Sequence, residues 1–260
     1  MNLLFIGDVM GPPGRRALAA HLPGLRDSMK LDLVIANCEN VAGGIGVTAE
    51  TAAELFGRGI DVLSNGNHAW DKKEALDFIK QEPRLLRPHN YPSGTPGSGW
   101  YVARVGKQRV GILNLLGTVF MHPSLDCPFR AVDDVLAAKP DDVKIVLVDM
   151  HAEATSEKTA MGWYLDGRVS AVVGTHTHIP TADERVLPGG TAYITDVGMT
   201  GCYDSVIGLG IDNAIKRLKH KLPAPFDTAE GPGTLCGVVI DIDERSGKSR
   251  SIRRVALPEL

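Results

Sequence analysis

Apolar residues in this chain cluster into short continuous runs at positions 2–7, 31–36, 60–63, 110–116, 143–148, 169–173 and 192–195. Each has strand length, and none alternates strictly with polar residues, as strands covered on both faces do not. Stretches with apolar residues near helical spacing lie between them at 15–30, 48–57, 72–80, 131–138, 154–165 and 211–222. Pro23 interrupts the first of these, Thr48 suits the N-cap of the second, and Asp71 suits the N-cap of the third, with orientation of the neighbouring His68 as its alternative use. Beyond Gly231 the pattern changes to two runs, 235–242 and 251–257, joined by Glu244-Arg245-Ser246-Gly247-Lys248, which predict a terminal antiparallel hairpin. The Pro- and Gly-rich segment 83–99 predicts a long surface loop. Strands alternating with helices predict an α/β protein of mixed architecture, with two packed sheets and helices outside.

Polar residues able to bind metal recur where these runs end. Phe5-Ile6-Gly7 leads to Asp8, and Val34-Ile35-Ala36-Asn37-Cys38 leads to Glu39-Asn40. Val62-Leu63-Ser64 leads to Asn65-Gly66-Asn67-His68, Val146-Leu147-Val148-Asp149-Met150 to His151, and Val172-Val173-Gly174 to Thr175-His176-Thr177-His178. Taken singly, each has an ordinary structural explanation: a turn, a solvated loop pair, a satisfied core histidine. Ligands of α/β sheets bind at the carboxyl ends of the strands, so five such endings point to one cleft. The set offers carboxylate, amide and imidazole donors and no thiolate, which suits manganese, iron or zinc and excludes a cysteine-rich site.

Length and composition narrow the classes further. At 260 residues the chain fits a single domain, residues 1–260, and 43% hydrophobic with 23% charged residues is an ordinary globular balance. A net charge of −3 argues against a dedicated nucleic-acid binder, and the basic stretch Lys216–Lys221 reads as a solvated helix face. Cys38, Cys127, Cys202 and Cys236 form no CxxC pair, as expected of a protein in a reducing cytoplasm. The amino-terminal apolar run stops at Asp8, too early for a signal peptide, and no run has membrane-spanning length. His21, His89, His122 and His220 stand outside the strand-end motifs and read as packing or surface residues.

With these residues in view, the chain resembles the calcineurin-like metallophosphoesterases, whose ordered signature Gly7-Asp8, Gly66-Asn67-His68, His151 and Gly174-Thr175-His176-Thr177-His178 follows. It departs where that pattern has a histidine two residues after the aspartate (here Met10) and a bridging aspartate (here Glu39). Both departures are similar to the YmdB-type bacterial phosphodiesterases, as are Gly66-Asn67-His68-Ala69-Trp70-Asp71 and Thr195-Asp196-Val197-Gly198-Met199-Thr200-Gly201. The resemblance implies a four-layer sandwich of two mixed β-sheets flanked by helices, a di-iron or dimanganese centre, a homo-oligomer, and hydrolysis of cyclic nucleotides including 2′,3′-cyclic AMP. It implies that one metal takes Asp8, bridging Glu39 and His178, and the other Glu39, Asn67, His151 and His176. With Met10 in place of histidine, the first metal is one protein ligand short, which water or Asn40 would supply unless the site simply binds more weakly.

The mechanism expected of such a site is in-line attack on phosphorus by a hydroxide shared between the cations. His68, uncoordinated beside Asn67, would protonate the leaving oxygen. Asn40 would contact the substrate, a small phosphodiester, as would Thr200 unless its Gly198–Gly201 loop is a purely structural turn, with no stable nucleic-acid complex and no membrane. Phe120, Tyr203 and Trp100 are available to stack on a base, although nothing ties them to the cleft. Two rivals share these motifs: a phosphomonoesterase (nucleotidase or protein phosphatase), and a non-catalytic regulator that binds a nucleotide or RNA. A metalloprotease lacks its HExxH motif here.

Overall fold

The computed structural model describes residues 1–259. In chain order the elements are β1 (Asn2–Ile6), α1 (Gly11–Ser28), β2 (Leu33–Asn37), α2 (Ala49–Gly57), β3 (Val62–Ser64), α3 (Ala75–Phe78), β4 (Trp100–Val105), β5 (Gln108–Leu116), α4 (Pro128–Ala138), β6 (Ile145–His151), α5 (Thr155–Tyr164), β7 (Ala171–Thr175), β8 (Arg185–Val186), β9 (Ala192–Ile194), α6 (Ile211–His220), β10 (Thr234–Ile242) and β11 (Ser249–Pro258). They form a five-stranded sheet, β11-β10-β1-β2-β3, and a six-stranded sheet, β4-β5-β6-β7-β9-β8. β1, β2 and β3 run parallel in the first sheet, and β5, β6, β7 and β9 run parallel in the second. The terminal hairpin β10–β11 joins the first sheet antiparallel to β1.

Three apolar layers hold the sheets and helices together, each built by the two-residue period of the strands. Leu3, Phe5, Leu33 and Ile35 of the first sheet meet Ile112, Ile145, Leu147 and Val173 of the second in an inter-sheet core. The alternate residues Leu4, Ile6, Val34 and Ala36 face Leu18, Leu22 and Leu55 of the outer helices α1 and α2. On the far side Val146, Val148 and Met150 pack with Val132 and Met161 of α4 and α5. The result is the four-layer sandwich of two mixed sheets flanked by helices.

Period two also carries the inter-sheet face from apolar to polar. After Leu33 and Ile35 the same face of β2 presents Asn37; after Ile145 and Leu147, β6 presents Asp149 and His151; after Ala171 and Val173, β7 presents Thr175. Asn37, Asp149, His151 and Thr175 are all fully buried. The core therefore ends, at the carboxyl edge of both sheets, in a buried polar layer on which the strand-end loops sit.

Several local expectations are corrected. α1 begins at Gly11, because Pro12 and Pro13 occupy first-turn positions where no amide donor is needed. It also runs through Pro23, which is exposed, as is Ala19, whose carbonyl loses its helical donor and faces water, while Leu18, Leu22 and Leu25 hold the buried face. The 72–80 segment is mostly turn, with only α3 helical and no side-chain cap, so Asp71 does not serve as an N-cap. The 83–99 segment is a loop but not wholly a surface one: Leu85 and Leu86 are buried, the latter in the inter-sheet core. β4 escaped the apolar-run criterion because it is a half-exposed edge strand. The four cysteines are free thiols, and no helix among the described residues is long and apolar enough to cross a membrane.

Leu147 sits at the centre of the inter-sheet core with no exposed surface. Leu147→Ala is expected to destabilise the protein by about 2–5 kcal/mol, since a rigid slab between two sheets collapses little around a cavity. Urea unfolding with an unchanged slope measures it.

Candidate metal centre

The carboxyl ends of β1, β2, β3, β6 and β7 bring Asp8, Glu39, Asn67, His151, His176 and His178 to one place. Short backbone bonds fix the loops there: Val9 N donates to Asn37 O (2.9 Å), Cys38 N to Ser64 O (2.8 Å), and Thr200 N to Asp8 O (2.8 Å). The side-chain nitrogens of His151 and His176 and a carboxylate oxygen of Glu39 all lie within 4.8 Å of one another.

His151 is oriented from below by the buried polar layer. Its Nδ1 lies 2.9 Å from Thr175 Oγ1, and that hydroxyl donates to Asp149 Oδ1 at 2.7 Å. Asp149 Oδ2 accepts in turn from Ser64 Oγ (2.6 Å) and Asn37 Nδ2 (3.2 Å). With its proton committed to the carboxylate, Thr175 accepts from His151 Nδ1–H, so His151 Nε2 turns a lone pair to the cleft. Around that one nitrogen stand Asn67 Oδ1 at 3.0 Å, Glu39 Oε1 at 3.1 Å and His176 Nδ1 at 3.1 Å. One shared proton cannot serve four acceptors, whereas a cation among them satisfies all at once.

Charge gives the same answer. Burial works against a protonated His151, yet Glu39, Asp8 and Asp149 together push its pKa up to about 9, so that Nε2 takes up a proton wherever no other cation occupies the place its lone pair faces. Burial likewise works against an ionised Glu39, but His151 and the His68 amide hold it down at about 2. Burial raises Asp149 to about 6 and raises Asp8 despite the opposing pull of His178 and His151. Burial and the neighbouring His151 depress His176 to about 3, leaving it neutral, the state that metal coordination would require. Asp8 Oδ2 accepts the His176 amide at 3.2 Å, while its Oδ1 is buried with no hydrogen-bond partner. An unpartnered buried carboxylate oxygen is costly, and metal coordination relieves it.

A second pole forms around His178. Its Nδ1 donates to the Ile207 carbonyl at 2.8 Å, which leaves Nε2 facing Asn40 Oδ1 at 3.2 Å. Asn40 is held by its own Nδ2 donating to Gly44 O at 3.0 Å. Met10 is buried on this side of the cleft and its methyl end packs toward Gly44 and Gly208. The amide oxygen of Asn40 thus stands beside His178 where Met10 offers no nitrogen.

Both histidines of the Thr-His-Thr-His turn have left-handed backbone, with φ of +103° at His176 and +66° at His178. Such strain needs holding, and Asp196 holds it. Its Oδ2 accepts from Thr177 N (3.1 Å), Thr177 Oγ1 (2.8 Å) and the buried Lys158 Nζ (2.7 Å), and its Oδ1 from Gly198 N (2.8 Å). On the outer side His176 Nε2 reaches Glu153 Oε2 at 3.2 Å.

His68 stands on the rim. Its amide donates to Glu39 Oε2 at 3.0 Å and its Nδ1 lies 2.6 Å from Asp71 Oδ2. Asp71 therefore orients this imidazole, with Nε2 left free, instead of capping a helix. Thr200, expected to touch substrate, is wholly buried; its hydroxyl donates to Cys236 O (3.0 Å) and accepts from Cys236 N (3.1 Å). It anchors the loop beneath Asp8 and does not line the cleft. Phe120, Tyr203 and Trp100 do not line it either. Asn37, Ser64, Asp149, Thr175, Lys158 and Asp196 were not singled out from the sequence. Their signal lies in strand parity for the first four, and for Asp196 in its position directly after an apolar run.

Fold and site together define a phosphoesterase of the metal-binding, two-sheet type, and the comparisons with known proteins agree. The chain belongs to the YmdB-like protein family, whose model matches residues 4–255. It is 49% identical over 257 residues to the 2′,3′-cyclic-nucleotide 2′-phosphodiesterase of Bacillus subtilis, covering 99% of this chain and 97% of that one. Among solved structures it is similar to a hypothetical protein of Thermus thermophilus (TM-score 0.94, 45% identity, 100% of both chains). It is also similar to a novel phosphatase of Mycoplasma pneumoniae (TM-score 0.94, 33% identity, 100% of this chain and 94% of that one).

Gly66 lets these donors close in: a Cβ there would stand 2.2 Å from His151 Nε2 and 2.3 Å from Glu39 Oε2. Gly66→Ala is expected to fold, by circular dichroism, yet to lose most bound metal when metal content is measured after loading and desalting.

Proposed function

We propose that the protein is a dinuclear-metal phosphodiesterase acting on cyclic nucleotides such as 2′,3′-cyclic AMP. The observation that carries this reading is the crowding of carboxylate, amide and imidazole donors around His151 Nε2, with an uncoordinated imidazole, His68, oriented beside them by Asp71. The named activity of the Bacillus subtilis relative, similar over nearly the whole of both chains, supports the choice of a cyclic diester.

In this reading Glu39 would contribute to both of two metal positions. Asp8, His178 and Asn40 would serve one, and Asn67, His151 and His176 the other. The oxygen and nitrogen donor set, without thiolate, supports iron or manganese over metals that favour sulfur, with zinc also compatible. Two such cations, when bound, acidify water to a hydroxide nucleophile and neutralise phosphate charge. The protein's own groups do the rest. The Thr175–Asp149 relay keeps His151 in one tautomer, and the Asp196 network fixes both turn histidines in strained geometry before substrate arrives. Asp71 accepts from His68 Nδ1–H, so the proton that His68 delivers to the leaving ribose oxygen comes from Nε2. Water adds to phosphorus, the P–O bond to that ribose oxygen breaks, and a monoester and a free hydroxyl result.

The test loads metal-depleted protein with Mn²⁺ or, anaerobically, Fe²⁺ and follows hydrolysis of 2′,3′-cyclic AMP beside a monoester of the same nucleoside. Faster turnover of the diester is expected; exclusive turnover of the monoester would overturn the assignment. His176→Ala is expected to lose metal and activity together. His68→Ala is expected to keep its metal while turnover falls by about 10²–10⁴. Full metal occupancy and full activity in both variants would remove the site from consideration.

A further inference from the structure

The cleft has two unlike sides. Glu39, Asn40, His176 and His178 form a polar pole, while Met10, Ile207, Leu209 and Phe226 form an apolar wall of the same cavity, about 270 Å³ in volume. Met10 is fully packed, but Phe226 keeps 40% of its surface exposed and Ile207 keeps 45%. A polar pole for phosphate does not by itself require an apolar wall beside it, and apolar side chains grouped along one side of a polar cleft mark a ligand-binding groove.

Phe226 is also tied to its neighbours. The Arg217 guanidinium, from α6, lies over its ring 5.2 Å from the centroid. The chain directly after it pairs with the segment carrying Ile207 and Leu209: Gly210 N donates to Asp227 O at 3.0 Å, and Ala229 N to Gly208 O at 2.8 Å. Asn213 Nδ2 adds a bond to Asp227 Oδ2 at 2.9 Å. That segment is itself tied to the polar pole, because Ile207 presents the carbonyl that His178 Nδ1 uses. Ile207 does so at a φ of +48°, a conformation unfavourable for a β-branched residue. The aromatic ring is thus set at a fixed place relative to His178 through one strained residue and a short ladder.

We propose that Phe226 is the platform on which the nucleobase of the substrate stacks, with Ile207 and Leu209 walling the base and Arg217 reinforcing the ring from the protein side. This rests on the diesterase reading above and assigns the part of the cleft that recognises the base of such a diester. A flat π-system fits the observation better than an alkyl chain does. Stacking uses the face of an immobilised ring, and a guanidinium over that ring strengthens the attraction.

The experiment compares 2′,3′-cyclic AMP with the base-free methyl ribofuranoside 2,3-cyclic phosphate, in wild type, Phe226→Ala, Phe226→Leu and Phe226→Trp. Wild type is expected to prefer the nucleotide in kcat/KM, on the order of tenfold or more through KM, as stacking on one aromatic ring provides. The preference is expected to collapse in Phe226→Ala and Phe226→Leu and to persist in Phe226→Trp. An undiminished preference in Phe226→Ala, or full retention by Phe226→Leu, would overturn the platform while leaving the diesterase reading standing. If wild type cleaves neither compound, the diesterase reading fails instead. Calorimetric binding of adenosine 2′-monophosphate then judges the platform alone: weaker binding by Phe226→Ala supports it, and equal affinity overturns it.

Discussion

Three carboxylates, Asp8, Glu39 and Asp149, are buried where the two sheets end together, and the rest of the site is organised around compensating them. Burying an ionised carboxylate is expensive unless donors or cations surround it. Asp149 is answered within the protein, by Ser64, Asn37 and Thr175, and becomes the footing of His151. Asp8 and Glu39 are answered only in part: Asp8 retains an oxygen with no partner, and Glu39 leans on His151. That shortfall distinguishes the supporting carboxylate from the other two. It gathers negative potential at the place where phosphate chemistry calls for cations.

The same division explains how rigidity is distributed. His151 stands on a strand and is fixed by strand parity and a hydroxyl relay, without backbone distortion. His176 and His178 lie just beyond a strand, in a turn that must point two neighbouring imidazoles to different places, and this forces both into left-handed backbone. The compensation is the Lys158–Asp196 pair. A buried ion pair of this kind is a poor source of net stability, but every hydrogen bond that Asp196 accepts from Thr177 and Gly198 opposes relaxation of the turn.

The alternation of apolar runs and helical spacings made the α/β sandwich legible in the sequence, because its central strands are buried on both faces. The half-exposed β4 and the two-residue β8 lack that signature. The strand-end positions of Asp8, Glu39, Asn67, His151, His176 and His178 pointed to a common cleft, since parallel strands gather their carboxyl ends. What sequence could not supply was the direction of side chains in the loops. Asp71 follows His68 by three residues, and whether such an aspartate caps a helix or holds an imidazole depends on where the chain turns. Thr200 lies in a glycine-rich segment like a binding loop, yet its bridge to Cys236 draws it inward. Phe226 carries no local motif at all and reaches the cleft only because the chain beyond α6 folds back on the Ile207 segment.

The carbonyl that Ile207 offers to His178 makes one short segment answer to two masters. Its backbone holds His178, and its side chain forms part of the apolar wall of the cleft. A change in the length of this segment would disturb both together, whereas a change of side chain at Ile207, Leu209 or Phe226 leaves the carbonyl where it is. Residue exchange on a loop of constant length can therefore reshape the wall while His178 keeps its partner, whereas an insertion alters both at once.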